Sequence, residues 1–293
     1  MKKKPPLVYV ILLNYKNYQD TLECIKSVNM LSYSNFKIIV LDNDSRNGSE
    51  ENIKKFIKES AWKNVIFIQT GANLGFAGGN NIGIKYALND EKMQYVWLLN
   101  NDTEVDKLAL TNLVNKMEDD SSLGICGSKL IYFFDHNTLQ GYGGKYHPQL
   151  GYATSIKEID DIPCMNYTIG ASMLVSREFL ENVGLMCEEY FLYYEELDWA
   201  ERGKKLNYRI DCAVDSIVYH KEGASIGTSN SISGKSLISD YYVQKNKLLV
   251  TKKFFPQYFL TVRIGMLIGV ARRLLHGELA KAWQQFAIVI GVK

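Results

Sequence analysis

Three groups of polar side chains, each placed directly after an apolar or aromatic run, have residue types suited to phosphate and proton chemistry. They are Asn100-Asn101-Asp102, Glu195-Glu196-Leu197-Asp198 and His220. A carboxylate at the end of a buried strand can hold a divalent cation and, through it, a diphosphate. A carboxylate among aromatic side chains loses hydration, which moves its pKa toward the range of a general base. Together the groups suggest an enzyme that moves a group off a nucleotide diphosphate.

Asp102 is the metal-ligand candidate of the first group. The run Tyr95–Leu99 before it is typical of a buried strand of a parallel sheet, and open α/β sheets bind ligands where such strands end. Carboxylate, water and phosphate oxygens suit Mg²⁺ or Mn²⁺. One carboxylate makes a poor site, and His220, at the end of VDSIVYH, is the candidate second ligand. The alternative for Asp102 is a turn that ends the strand, and the alternative for His220 is a structural histidine.

The acidic cluster 195–198 follows the aromatic run 190–194. Acidic residues also stabilise a helix N-terminus through the helix dipole, which is the structural alternative. Both interpretations can hold together, with Glu195 or Asp198 structural and Glu196 chemical.

Two further loops carry candidate ligand contacts. Asp42 follows a predicted strand and could accept hydrogen bonds from a base or a ribose hydroxyl; the alternative is an Asx turn or a helix N-cap. The segment 73–81, NLGFAGGNN, places glycines before a helix, where the backbone can approach a phosphate. It matches neither G-x-G-x-x-G nor a Walker A loop, and the alternative is a tight turn before a capped helix.

The elements that must position these groups alternate in the first half of the sequence. The predicted strands are Leu7–Leu13, Phe36–Leu41, Val65–Gln69 and Val96–Leu99, and the predicted helices are Tyr18–Met30, Ser49–Glu59, Gly79–Leu88 and Asp106–Asp119. Such alternation predicts an α/β fold with right-handed crossovers and a parallel sheet. The loops after the four strands therefore meet at one edge of the sheet.

The second half lacks this alternation. After a mixture of strands and turns in Ser128–Tyr152, the predicted elements are a strand at Asn166–Ser176, helices at Arg177–Val183 and Glu195–Lys205, and a strand at Val214–Tyr219. The Gly/Ser segment 223–234 is a candidate lid. Three helical patterns follow, at about 237–253, 257–275 and 278–290. We therefore expect a main domain over 1–236 and a helical extension over 237–293.

Composition excludes several classes of protein. An apolar share of 46% with five prolines in 293 residues indicates a packed globular chain. Five cysteines without a C-x-x-C pair predict buried thiols in a reducing cytosol, with neither a disulfide framework nor a zinc ribbon. The N-terminal apolar run, Leu7–Leu13, is short and has no cleavage site, so we expect no signal peptide and a cytoplasmic location.

Charge is concentrated in the predicted extension. Residues 237–293 carry nine Lys and Arg against two acidic residues, whereas the whole chain has a net charge of only +2. The apolar run Gln257–Ala271 is followed at once by Arg272-Arg273, a pattern that fits an interfacial helix on an anionic membrane surface. The alternative is a helix packed on the main domain or in a dimer. Because this basic excess lies among apolar helices, nucleic-acid binding is not expected.

In this order the motifs resemble the family-2 glycosyltransferases of the GT-A fold, closest to the branch of bacterial rhamnosyltransferases of cell-surface polysaccharide synthesis. The motifs are VILLNYKNYQDTLECIKSV, VLDNDS, NLGFAGGNN, VWLLNNDT, GASMLVSRE, FLYYEELDWAERGKKLNYRI and VYHKEG. The resemblance covers about three quarters of the chain, and the set is specific although each piece alone is not. It implies a Rossmann-like nucleotide-binding half joined to an acceptor half. It also implies inverting transfer from a nucleotide-diphospho-sugar, helped by Mg²⁺ or Mn²⁺.

The resemblance also implies roles for individual residues. The donor-binding positions are Asn14, Tyr15, Asp42, Asn73, Asn80, Asn101 and Asp102. The catalytic and metal-binding positions are Glu196 as general base, Asp102 and His220 as metal ligands, and Glu195, Asp198 and Arg202 as supporting residues. Two departures from the family pattern stand out. Asn100 replaces the first Asp of D-x-D, which weakens the expectation of metal dependence, and Glu196 stands where Asp is frequent.

The favoured donor is dTDP-rhamnose, with a UDP-hexose or a galactofuranose donor as alternatives. The expected acceptor is a glycan or a polyprenyl-diphosphate-linked oligosaccharide, met at the inner leaflet of the cell membrane. Two other functions stay open: a nucleotidyltransferase, and a non-catalytic nucleotide-sugar-binding protein. A nucleotidyltransferase would need a basic residue on the triphosphate, and Lys16 is the only one near the first loop.

Overall fold

Long apolar runs broken by Asn, Asp and Gly give this chain its order of strands and helices. The computed structural model describes residues 4–221 and 236–291. The strands are β1 (Leu7–Asn14), β2 (Phe36–Asp42), β3 (Val65–Gln69), β4 (Met93–Asn100), β5 (Thr103–Val105), β6 (Leu123–Tyr132), β7 (Leu139–Gly141), β8 (Gly143–His147), β9 (Tyr152–Ile156), β10 (Ser172–Ser176) and β11 (Arg209–His220). The helices are α1 (Tyr18–Asn29), α2 (Ser49–Ser60), α3 (Gly75–Leu88), α4 (Ala109–Asp119), α5 (Arg177–Val183), α6 (Glu195–Lys204), α7 (Leu237–Phe254), α8 (Phe259–Leu275) and α9 (Leu279–Ile290).

Nine of the strands in the described ranges form one sheet, in the order β3-β2-β1-β4-β10-β6-β11-β5 with β7 paired to β6. The first four strands of this order are parallel to one another. Strand β10 inserts antiparallel between β4 and β6, and β8 and β9 form a separate hairpin. The predicted α/β fold, with parallel strands in its first half, is therefore confirmed.

The parallel strands are buried on both faces. Along β1, Val10 belongs to one apolar core and Ile11 to the other; along β4, Trp97 and Leu98 divide in the same way. Because side chains of a strand alternate between its two faces, a strand covered on both sides must be apolar at every position. Helices α1, α2 and α4 cover the first face, and α3, α5 and α6 cover the second.

The register of the sheet aligns the polar residues that end the strands. Asn14 is paired with Asp42, Leu13 is paired with Asn100, and His220 is paired with Thr103. The ends of β1, β2, β4 and β11 therefore meet at one edge.

Several predicted bounds in the second half were wrong. The strand predicted for Asn166–Ser176 is confined to β10, and β11 begins at Arg209 rather than Val214. In the first half, helix α3 begins at Gly75 rather than Gly79. The polar start of β11 is held by parallel pairing with β6, a tertiary contact that overrides local preference. The candidate lid at 223–234 lies outside the described residues.

The three C-terminal helices were predicted correctly, and they pack on one another. A buried ion pair joins α7 to α8, with Arg273 Nη1 at 2.6 Å from Asp240 Oδ2. Val250 of α7 also packs against Tyr190 and Leu197, so α7 contacts the segment that leads into α6. Among the helices in the described part of the chain, none is both long and apolar enough to cross a bilayer.

Candidate active site

A buried network of polar side chains joins the ends of β1, β2 and β4. Asn14 Nδ2 donates to Asp42 Oδ1 at 2.6 Å, and Asn14 Oδ1 accepts from Thr21 Oγ1 at 2.8 Å. Asn101 Nδ2 donates to Thr21 Oγ1 at 2.9 Å, which extends the network to the end of β4. Tyr15 lies beside the network and is partly exposed. The structure thus brings together four of the predicted donor-binding residues.

The carboxylate of Asp42 accepts hydrogen bonds from other residues of the chain. Its Oδ1 accepts from Asn14 and from Ser45 Oγ, and its Oδ2 accepts from the Ser45 N–H at 3.1 Å and from Gln69 Nε2 at 2.9 Å. A carboxylate offers about four lone-pair sites, so these bonds use them all. They form the side-chain-bonded turn that was the alternative interpretation, and contact of Asp42 with a base or ribose stays a prediction.

The glycine-rich segment 73–81 forms a loop and the first turn of α3. Asn73 is exposed and accepts from Asn43 Nδ2 at 3.0 Å. Asn80 is buried, and its Nδ2 donates to Phe76 O at 3.0 Å within the helix. Asn73 therefore lies at the open side of the loop, whereas Asn80 bonds within α3. A donor contact for either residue stays a prediction.

The loop before α3 touches the segment that leads into α6. Phe76 N–H donates to Phe191 O at 2.7 Å. Gly75 has φ +70°, and a Cβ at this position would lie 2.2 Å from the same carbonyl oxygen. A side chain here would be both strained and clashing, so glycine is required for this contact.

Asp102 and His220 are neighbours at the sheet edge. His220 Nε2 lies 3.2 Å from Asp102 Oδ1, and both side chains are less than a tenth exposed. The pair is held by backbone bonds, because Lys221 N–H donates to Asp102 O at 3.0 Å while His220 pairs with Thr103. The two predicted metal ligands are thus brought together from distant parts of the sequence.

Gln140 fixes the orientation of His220 and was missed by the sequence analysis. Its Oε1 lies 3.0 Å from His220 Nδ1, so Nδ1 carries the proton that this oxygen accepts. Asn100 Nδ2 lies 3.4 Å from His220 Nε2, the ring nitrogen left with a lone pair. This lone pair faces Asp102, as in a histidine prepared for metal binding. No local pattern marks Gln140, which acts only because β7 pairs with β6.

The Asp102 and His220 pair fits a divalent cation. Two neighbouring ligands of an octahedral ion, each at about 2.0–2.2 Å, lie roughly 3 Å apart, close to the separation in this structure. Within residues 4–221 and 236–291 no group of three or more His, Cys, Asp and Glu side chains could hold a metal. Such an ion would need phosphate and water oxygens as its other ligands, which is usual for Mg²⁺.

Glu196 lies in the first turn of α6, against the turn that precedes β10. It accepts a hydrogen bond from the Gly170 N–H, and burial raises the pKa of its carboxyl to about 7. A Cβ at Gly170 would lie 2.2 Å from Glu196 Oε1, so only glycine leaves room for the carboxylate. The next residue, Ala171, accepts from Asn100 N–H at 3.0 Å, which connects this turn to the end of β4.

Glu195 is buried beside Glu196, and its Oε2 has no hydrogen-bond partner among the described residues. Burial, and then the negative charge of Glu196, raise the pKa of Glu195 well above its usual value. A raised pKa favours the protonated, uncharged form of the carboxyl group. The pKa of Glu196, at about 7, suits a group that exchanges a proton near neutrality.

Asp198 and Arg202 anchor α6. Asp198 is fully buried and accepts from Arg202 Nε at 2.7 Å and from the Tyr190 hydroxyl at 3.0 Å, and it also contacts Lys253 of α7. The other guanidinium nitrogens of Arg202 donate to two carbonyls of the segment 183–185. These contacts fit the supporting role predicted for both residues.

The segment 190–194, immediately before Glu195, has a strained backbone. Positive φ angles occur at Phe191, Tyr193 and Tyr194, three non-glycine residues. Asn246 of α7 is fully buried, and its Nδ2 lies 2.7–3.0 Å from three carbonyl oxygens of this segment. Helix α7 thus holds the residues that place α6, a function that sequence reasoning had not assigned to it.

Comparison with known proteins identifies a family. The chain matches the profile of glycosyl transferase family 2 over residues 9–184. It is 23% identical to the low-salt glycan biosynthesis hexosyltransferase Agl10 of Haloferax volcanii, over 72% of this chain and 66% of that protein. It is also 23% identical to the dTDP-rhamnosyl transferase RfbF of Shigella flexneri, over 95% of this chain and 89% of that protein.

Solved structures share the fold. The mannosyltransferase PcManGT from Pyrobaculum calidifontis, in complex with GDP-Man and Mn²⁺, matches 98% of this chain and 87% of its own, with a TM-score of 0.62 and 12% identity. GalNAc-T7 with UDP, GalNAc and Mn²⁺ matches 86% of this chain, with a TM-score of 0.66 and 15% identity, although the match spans only 49% of GalNAc-T7. The predicted GT-A-like fold is therefore confirmed.

Proposed function

The chain belongs to glycosyl transferase family 2, and from that premise we propose that it moves one sugar from a nucleotide-diphospho-sugar to an acceptor hydroxyl with inversion at the anomeric carbon. Glu196 is the proposed general base, and Asp102 and His220 are the proposed metal ligands. The observation that supports this best is the setting of Glu196. Its pKa of about 7 suits proton transfer at neutral pH, and the turn that contacts its carboxylate is hydrogen-bonded to Asn100 at the end of β4, two residues before Asp102.

The proposed reaction is a single displacement. The acceptor hydroxyl gives its proton to Glu196 as its oxygen attacks the anomeric carbon. The bond from that carbon to the diphosphate oxygen breaks, and the electron pair leaves with the nucleoside diphosphate. One displacement inverts the anomeric centre, so no enzyme nucleophile is needed. Burial raises the pKa of Glu195, which disfavours a second negative charge beside the base.

A divalent cation, Mg²⁺ or Mn²⁺, would supply stabilisation of the negative charge on the departing diphosphate. Gln140 would keep the His220 lone pair aimed toward that cation. Asn14, Asn101 and the loop 73–81 would line the nucleotide side of the pocket. The hydrogen bonds that Asn14 and Asn101 make with Thr21 order this edge before the donor arrives, which lowers the entropic cost of binding.

The donor we favour is dTDP-rhamnose. The relative named as a dTDP-rhamnosyl transferase aligns with 95% of this chain, which supports the choice. A UDP-hexose or a galactofuranose donor is the alternative. For the acceptor we propose a polysaccharide or a polyprenyl-diphosphate-linked oligosaccharide of the cell envelope. We place the enzyme in the cytoplasm at the inner face of the membrane, where such a lipid is held.

A panel of nucleotide sugars tests the function directly. Thermal stabilisation and slow donor hydrolysis are measured for each donor with Mn²⁺, with Mg²⁺ and with a chelator. We expect one donor to stabilise the protein and to be hydrolysed only with metal. The anomeric proton coupling of the transferred sugar, read by NMR, reports the stereochemistry.

Each outcome of this experiment has a definite meaning. A retained anomeric configuration would overturn the single displacement. Donor binding without hydrolysis or transfer would favour the non-catalytic nucleotide-sugar-binding protein. Donor hydrolysis at the same rate with the chelator as with metal would show that Asp102 and His220 do not act as metal ligands in the reaction.

A further inference from the structure

Helix α8 is apolar on two faces, and the residues that the structure describes cover only one of them. Val262, Met266 and Val270 are buried among the C-terminal helices. A second stripe runs along the exposed side, at Leu260, Ile264, Leu267, Ile268 and Leu275. Leu260 is 68% exposed and Leu275 86% exposed. The spacing of three, four and seven residues keeps the stripe on one side of the helix over roughly 22 Å.

Helix α9, which packs against α8, carries an exposed apolar stripe of its own. Leu279, Trp283 and Ile290 are four and seven residues apart, and Trp283 is 69% exposed. An indole has a large apolar ring and a polar N–H, a combination favoured where apolar and aqueous phases meet. Large exposed apolar side chains grouped along two neighbouring helices indicate an interaction site rather than ordinary solvent exposure.

The charge around these stripes has one sign. Among the described residues 236–291, Arg272 and Lys252 are exposed, and neither acidic residue is: Asp240 is buried against Arg273, and Glu278 is only partly exposed. The exposed charge of the three helices is therefore positive. Such a surface attracts an anionic layer, and each basic residue near an anionic bilayer contributes about 1 kcal/mol.

We propose that the exposed stripes of α8 and α9 form a membrane-docking face that lies in the headgroup region of an anionic bilayer. The buried face of α8 stays on the protein, so the helix lies along the surface with Arg272 among the lipid phosphates. The docking face rests on the proposed function in one respect. The lipid-linked acceptor proposed there is the reason that the enzyme would meet a bilayer. A second copy of this chain is the less favourable occupant, because it would bring two positive surfaces together.

Vesicle co-sedimentation of the full chain tests the docking face, without donor or acceptor. The probes are vesicles of phosphatidylglycerol mixed with phosphatidylcholine, and vesicles of phosphatidylcholine alone, at rising salt. The test variant is Ile264→Ser with Ile268→Ser, two residues of the stripe that are 51% and 59% exposed. The control is Met30→Ser, an exposed apolar residue at the end of α1, distant in sequence from the stripes.

The wild type and Met30→Ser should bind the anionic vesicles, less so as salt rises. The double variant should partition at least tenfold more weakly, since two apolar side chains no longer enter the bilayer. Equal binding by the double variant, or no binding by the wild type, overturns the docking face. A wild-type dimer that the double variant converts to a monomer, with no vesicle binding, overturns it in favour of a second copy.

Donor-induced stabilisation, measured in solution on the same variants, separates this result from the proposed function. It should be unchanged in the double variant, because the stripe is distant in sequence from the donor-binding residues. Loss of vesicle binding with donor binding intact would concern the docking face alone. Vesicle binding without any donor response in the wild type would count against the proposed function and leave the docking face standing.

Discussion

Glu196 is a carboxylate whose surroundings favour its protonated form up to about neutral pH. Replacing it by Gln keeps the size of the side chain and removes its ability to accept a proton. We expect Glu196→Gln to lower turnover by about 10²–10⁴-fold with donor affinity unchanged. Glu201→Gln, the same change on the same helix, is the matched control and should be near wild type. Turnover of Glu196→Gln within a few-fold of wild type would remove Glu196 from the base role.

The raised pKa of Glu196 also predicts a pH profile. The base acts only when deprotonated, so the active fraction grows as pH rises through about 7. We expect turnover to rise across that pH and then to level off, because the raised pKa of Glu196 shifts its deprotonation to higher pH. A rate measured at saturating donor and acceptor from about pH 5.5 to about pH 8.5 checks this. A flat profile, or one that falls as pH rises, would contradict it.

Gln140 is predicted to act through His220. Gln140→Leu removes the acceptor of the Nδ1 proton and frees the ring to turn, so we expect Mn²⁺ affinity to fall about 10–100-fold. Electron paramagnetic resonance of free Mn²⁺, in the presence of dTDP, measures this without relying on activity. Gln149→Leu, at an exposed position of the β8–β9 hairpin, is the control. Unchanged Mn²⁺ binding in Gln140→Leu would show that the histidine is held without it.

At the scale of elements, the segment 190–194 depends on α7. Asn246→Ala removes the amide that bridges three carbonyl oxygens of a strained backbone. We expect a loss of about 1–3 kcal/mol in the free energy of unfolding, because those buried carbonyls lose their partner. Turnover should fall more than donor affinity, since the segment positions Glu196 rather than the nucleotide.

Chemical denaturation and steady-state kinetics check this prediction together. Asn115→Ala, an exposed asparagine of α4, is the control for the substitution itself. A stable Asn246→Ala enzyme with full turnover would mean that the segment keeps its conformation without α7. Recovery in Asn246→Asp is not expected, because a carboxylate cannot donate to the carbonyls.

The elements differ in how well the sequence predicts them. Strands such as β4 are continuous apolar runs ended by Asn and Asp, so their type and their functional end follow from local pattern. The polar start of β11 becomes strand only through its partner β6. The roles of Gln140 and Asn246 could not be predicted from the sequence for the same reason. They arise from contacts between segments that are distant in sequence. The Asp102 and His220 pairing was expected from the resemblance, and the register of β11 with β5 explains it.

At the scale of the whole molecule, the proposed boundary between 236 and 237 can be tested. Val250 and Asn246 of α7 cover the residues that place α6, so removing α7 exposes that packing. We expect a chain ending at residue 236 to lose donor-induced thermal stabilisation, and one ending at residue 254, which keeps α7, to retain it. Equal stabilisation of both would show that residues 1–236 form a self-sufficient domain.

The contact between Gly75 and Phe191 has a consequence for recombining this chain with its relatives. The two loops are far apart in sequence, with Gly75 inside the matched region 9–184 and Phe191 beyond its end, yet one lacks a Cβ so that the other's carbonyl can occupy that space. A crossover placed anywhere between them would combine the loop at residue 75 from one parent with the segment at residue 191 from the other. Chimaeras built to change sugar preference should therefore inherit both loops from a single parent.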